Sequence, residues 1–216
     1  MKKLLVAAAL AFVASTASAT IAGGSHDMST AGNVAKYGAP QLSACAFCHA
    51  AHLNFTTGTP MAGGPLWNRA QPAPTGGYTL YSSSTLSTVA STGARLGTPS
   101  YTCLSCHDGA SDMGATVVGT QGWATPQLMT GYAVVGQVLT NDHPVGITYN
   151  TGDATLVQGA GTPGVTLPTA SAVGTYGGFV ECGSCHDPHG TSNAATGGAS
   201  FLRVSATTIC AACHIK

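Results

Sequence analysis

Charge is scarce in this chain: seven Lys and Arg and seven Asp and Glu are spread over 216 residues. No basic patch exists to neutralise phosphates, which argues against nucleic acid as a partner. Disordered chains are ordinarily charged and poor in apolar residues, whereas this one has a mean hydropathy of +0.22, so composition also argues against disorder. Long apolar runs are missing as well. The run from Leu4 to Val13 is far shorter than the ~20 residues needed to span a bilayer. Helical periodicity is weak throughout, and no cysteine lies outside a Cys-x-x-Cys pair.

What the chain does have is Cys-x-x-Cys-His four times: Cys45-Ala-Phe-Cys48-His49, Cys103-Leu-Ser-Cys106-His107, Cys182-Gly-Ser-Cys185-His186 and Cys210-Ala-Ala-Cys213-His214. Each unit offers two thiols that form thioethers with the vinyl groups of a haem, and an adjacent imidazole that binds its iron from one side. With eight histidines in 216 residues, a histidine after all four pairs is a coincidence of roughly a few per million on composition alone. Two zinc ribbons or four disulfides would also use eight cysteines, but neither needs a histidine directly after every pair. The expected cofactors are four covalent haem c groups.

Lys2 and Lys3, the apolar run and the small-residue sequence Ala17-Ser18-Ala19 form a secretory signal, with cleavage expected after Ala19. Residues 20–216 are then one exported tetrahaem domain, with roughly 50 residues of chain for each haem. So little chain builds no large core of its own. The expected fold is mostly coil with short helices at the haem motifs and few short strands, wrapped around a stacked haem chain, and folding should depend on haem attachment. The stretch 54–102, with five prolines from Pro60 to Pro99 and the Ser82 to Thr85 cluster, reads as loop. Thr116 to Val118, Tyr132 to Val135 and Ile147 to Tyr149 read as short strands. Loss of Lys2 and Lys3 leaves the mature chain mildly acidic, and haem propionates add to that. A low-charge surface rich in glycine and threonine suits a chain that buries its exterior against copies of itself.

Four histidines lie outside the motifs: His26, His52, His143 and His189. Four irons need four sixth ligands, so the tally predicts bis-histidine, six-coordinate sites in which His49, His107, His186 and His214 are the proximal ligands. His52 and His189 each follow a motif histidine by three residues, one helical turn and about 4.5 Å of rise. Neither reaches round to the far face of its own haem, so each is expected to serve another. Pro144 holds His143 in extended backbone, and iron ligation would tie down the N-terminal segment carrying His26. Met28, Met61, Met113 and Met129 are rival axial ligands, assigned here to packing. Arg69, Arg95 and Arg203 are candidate propionate partners, no better supported than ordinary solvated arginines. Trp67 and Trp123 are read as aromatic packing, and Asn54-Phe55-Thr56 as a loop that happens to match a glycosylation sequon.

The segments Cys182-Gly-Ser-Cys185-His186-Asp187-Pro188-His189-Gly190, Asn141-Asp142-His143-Pro144-Val145-Gly146, Cys106-His107-Asp108-Gly109 and Ser25-His26-Asp27-Met28 resemble those of extracellular multihaem c-type cytochromes of metal-reducing bacteria. Among these the chain is most similar to the tetrahaem cytochromes that polymerise into conducting filaments. The resemblance implies closely stacked haems continuous from subunit to subunit, with one distal histidine donated by a neighbouring copy. By analogy that role falls to His52, acting on the haem of Cys210, Cys213 and His214, with His26 as runner-up. It further implies electron transfer rather than enzymatic catalysis, at the cell surface, between upstream periplasmic or outer-membrane cytochromes and extracellular acceptors. The alternatives are a monomeric periplasmic shuttle and a multihaem reductase. The latter needs an open iron, for which the histidine tally leaves no vacancy.

Overall fold

A ten-residue helix, Thr98–His107 (α1), is the longest regular element among the described residues and carries the whole second motif. The computed structural model describes residues 21, 24–29, 44–50, 66–69, 77–86, 96–115, 126–150, 152–157, 174–190 and 201–215. Ile147–Thr148 (β1) pairs antiparallel with Phe179–Val180 (β2), in register Ile147 with Val180 and Thr148 with Phe179. Cys182–Cys185 (α2) follows directly, and a 3₁₀ turn spans Cys210–Ala212. This sparse set is compatible with a chain that is mostly coil.

Two local expectations differ from the structure. Residues 98–102, read as loop, form the start of α1, because Pro99 lies in the first turn, where a helix has no use for its missing N–H. Tyr132 to Val135, read as a strand, is a turn and an irregular run between Gly131 and Gly136, which have φ of +86° and +90°. That left-handed backbone is open to glycine and breaks a strand at both ends. Ile147 and Thr148 do form a strand, while Thr116 to Val118 lie outside the described residues.

Each of the four motifs makes a single helical turn. The N–H of His49, His186 and His214 reaches the carbonyl of the first cysteine of its motif at 2.8, 3.1 and 2.8 Å. The turn sets both cysteines and the histidine on one short arc. Behind the second motif sits a small apolar core of Leu96, Leu104 and Leu139, with Tyr78, Leu80, Tyr101 and Val145 packed against it.

α1 and α2 pack together, and a buried carboxylate joins them. Glu181 Oε1 accepts the Gly97 N–H at 2.9 Å at the N-terminus of α1, and Oε2 accepts the Ser100 hydroxyl. The same Ser100 oxygen accepts the Cys182 N–H at 3.1 Å. Glu181 thus satisfies a free donor at a helix start 84 residues away in sequence, where negative charge is also favoured by the helix dipole. A methyl group on Gly97 would stand 2.5 Å from Glu181 Oε1, so this glycine is required by close approach. Replacing Glu181 with alanine strands the Gly97 N–H and the Ser100 hydroxyl together. We expect it to cost about 2 kcal/mol or more, read as a lowered denaturation midpoint; a midpoint within error of wild type would show that the carboxylate does not couple the helices.

Candidate functional site

Beyond its own helical turn, each motif is held by a second piece of chain. Around the first motif, Asn68 N–H reaches the Cys48 carbonyl and Ala50 N–H the Leu66 carbonyl, both at 2.8 Å. The third motif repeats this: Arg203 N–H reaches the Cys185 carbonyl at 2.9 Å, and Asp187 N–H the Phe201 carbonyl at 2.8 Å. At the fourth, Val157 N–H bonds the Cys213 carbonyl and Ile215 N–H the Thr155 carbonyl. The His107 carbonyl accepts the N–H groups of Val135 and Gly136 at 2.8 and 3.2 Å. Backbone fixed on both sides of a histidine limits where its ring points.

The first and third motifs are one module used twice. Leu66 corresponds to Phe201 in the pairing, and these are the only two non-glycine residues with positive φ among the described residues, at 53° and 68°. Such a conformation is costly away from glycine, so its recurrence at matched positions marks a shared construction. By the same correspondence Ala50 matches Asp187, and His52 matches His189. Both segments share the Cys-x-x-Cys-His-x-x-His spacing, while their other side chains differ.

Three histidine pairs face each other. Ring centres are 6.1 Å apart for His26 and His107, 6.1 Å for His49 and His189, and 6.2 Å for His143 and His214. Every pair joins one motif histidine to one histidine outside the motifs. An imidazole nitrogen stands about 1.1 Å from its ring centre and about 2 Å from a transition metal that it binds, so two imidazoles on opposite faces of one metal have centres about 6.2 Å apart. The residues present fit that arrangement. His186 has no such partner among the described residues, and His52 lies outside them.

His143 stands opposite His214, where His52 was expected to act, and His26 stands opposite His107 of its own chain.

Ring rotation is fixed by neighbours. Nδ1 of His107 donates to the Ala133 carbonyl at 2.8 Å, Nδ1 of His26 to the Pro188 carbonyl at 3.0 Å, and Nδ1 of His143 to the Pro144 carbonyl at 3.1 Å. A carbonyl only accepts, so the proton sits on Nδ1 and leaves Nε2 with a free lone pair. His26 also stacks on Phe201 at 4.2 Å, and His49 meets the edge of Trp67 at 5.8 Å. Burial lowers the pKa of His26 and of His186, keeping both in the neutral, metal-binding form.

All eight cysteines are unpaired thiols. Burial pushes Cys48 up to about 12 and Cys185 up to about 11, so neither ionises near neutral pH. A hydrogen bond between Cys103 and Cys182 raises the first and lowers the second. A thioether carries no charge and suits the same surroundings. Contact between those two sulfurs sets the second and third motifs side by side. Among the described residues no three His, Cys, Asp or Glu side chains converge on a point that would hold a metal ion, and the tetrahedral cysteine cluster of a zinc ribbon is not formed by them.

Of the other candidates, Arg69 and Arg203 are buried rather than solvated. Arg69 lies over the Phe47 ring at 4.6 Å and donates to the carbonyls of Asp112, at 3.2 Å, and Met113. It clamps the first motif to the chain beyond the second. Arg203 Nε donates to the Gly183 carbonyl at 2.7 Å. Two buried donors near His49, Arg69 Nε and Trp67 Nε1, have no acceptor within the protein, and a propionate would satisfy either. Met113 is packed in the interior. Arg95, Trp123, Met61 and Asn54 lie outside the described residues.

No protein-family model matches this chain, and no curated protein is significantly similar to it in sequence.

Arg69→Lys keeps the charge but loses the planar fork that spans two carbonyls. We expect about 1–3 kcal/mol of lost stability, read as a lower denaturant midpoint; an unchanged midpoint would show that the clamp contributes nothing.

Proposed function

We propose that this chain is an exported electron-transfer protein carrying four c-type haems, each held between two histidines, and that it works as the repeating subunit of an extracellular conducting filament. The observation that carries the haem reading is the set of three facing imidazole pairs, each joining a Cys-x-x-Cys-His histidine to one outside the motifs at 6.1 to 6.2 Å. Haem, when bound, supplies one-electron redox chemistry without making or breaking bonds in a substrate. The protein residues do the rest. The paired imidazoles would hold a haem from both sides, leaving no room for another ligand and favouring a low potential, while carbonyls hold the rings in one tautomer and the packing of α1 on α2 keeps neighbouring motifs close.

Assembly follows from the doubled module. The third motif sends His189 to the site of His49. The same relation applied to the first motif sends His52 to a site like that of His186, for which the described residues offer no second imidazole. Given by the next copy, His52 makes a head-to-tail contact that repeats without closing, which generates a filament rather than a ring or a two-fold dimer. Iron coordination then becomes part of the assembly energy, and the low charge of the surface is compatible with burial between copies.

Intact-mass measurement of the secreted protein should give the mature chain plus four haems, and denatured protein should leave all eight cysteines unalkylated; an apo mass or alkylated thiols would overturn the haem reading. His52→Ala should keep all four haems and form no filaments under the electron microscope. Normal filaments in that variant would remove the assignment of His52 across the interface.

A further inference from the structure

The three histidine pairs are alike in separation and unlike in orientation. The rings of His49 and His189 lie 21° apart, close to parallel, while His26 with His107 and His143 with His214 are crossed at 63° and 70°. Backing differs in the same way. In the crossed pairs the recorded Nδ1 partners are neutral carbonyls, those of Pro188, Ala133 and Pro144. His189 Nδ1 instead faces the carboxylate of Asp187, at 3.8 Å.

Asp187 is held for that position. It is buried, its Oδ1 accepts the His189 N–H at 3.0 Å, and its own N–H is engaged by Phe201. The equivalent place in the first module is Ala50, which carries no charge, so the carboxylate is a difference between two otherwise matching segments.

We infer that Asp187 is a positioning residue that makes the His49–His189 site electronically distinct, the site of lowest potential among the three described pairs. The inference rests on the haem reading above. A buried negative charge 3.8 Å from the ring nitrogen would stabilise the more positive, oxidised metal. Parallel rings act through the same metal orbital, and separate it in energy from its partner. Crossed rings act on one orbital each and leave the two nearly degenerate. Both effects place the His49–His189 site apart from the other two in the same direction.

Electron paramagnetic resonance distinguishes the classes directly. Oxidised, haem-replete protein should give a rhombic low-spin signal beside a strongly anisotropic one with a very large maximal g value. In a reductive titration the rhombic signal, which belongs to the oxidised metal, should be the last to be lost as the potential is lowered. Asp187→Asn keeps an oxygen for the His189 N–H and removes the charge; the rhombic signal should then be lost at a higher potential while the anisotropic signals stay in place. A single signal class in protein carrying all four haems, or a rhombic signal lost first, would overturn the inference and leave the haem reading standing. An unshifted rhombic titration in Asp187→Asn would overturn the role of Asp187. Absence of haem from the intact mass would overturn the underlying reading instead.

Discussion

Three imidazole pairs at 6.1 to 6.2 Å, the separation that two rings on opposite faces of one haem would have, tie this chain together more than any apolar core does. Buried apolar side chains are few: Leu96, Leu104 and Leu139 make the one cluster seen among the described residues. The histidine pairs, by contrast, tie together segments far apart in sequence, from His26 to His107, His49 to His189 and His143 to His214. A polypeptide this poor in regular structure holds such pairs open by fixing the backbone on either side of each ring. The recurring ladder at the motif histidines is the means; Glu181 and Arg69 lock ladders to one another from within, and Arg203 braces the ladder of the third motif.

The third motif is the hub of that arrangement. α2 packs on α1, bringing the Cys103 and Cys182 sulfurs into contact. His189, one turn on, faces the first motif, and Pro188 holds the ring of His26 for the second. β2 leads into α2 and pairs with β1, whose continuation places the Tyr149 hydroxyl on the Cys213 carbonyl of the fourth motif at 3.1 Å. One short segment therefore orders three others.

The candidate site residues were legible in the sequence to a degree that their arrangement was not. Four Cys-x-x-Cys-His units and an equal number of spare histidines are local facts, readable by counting, and the argument that His189 cannot serve the haem of its own motif needs only the pitch of a helix. Partner choice is not local. Nothing near His143 points to His214, and the pairing depends on the course of the chain from 143 to 157 across the fourth motif. The module repeated at 44–50 with 66–69 and at 183–190 with 201–203 is carried by backbone bonds and two left-handed residues, Leu66 and Phe201, whose side chains have no common signature. Tyr132 to Val135, read as a short strand or hairpin, form no strand because the two bounding glycines decide the backbone there. Asp187 was read only as part of a motif; its meaning depends on the ring nitrogen it faces, and that is a tertiary fact.

The central claim is that each facing pair of rings encloses one metal centre. A high-resolution structure of the secreted, haem-replete protein tests it most directly. Iron should lie midway between His26 and His107, between His49 and His189, and between His143 and His214, with both ring Nε2 atoms bound. Irons bound to any other combination of histidines, or these rings in contact with no metal between them, would contradict it.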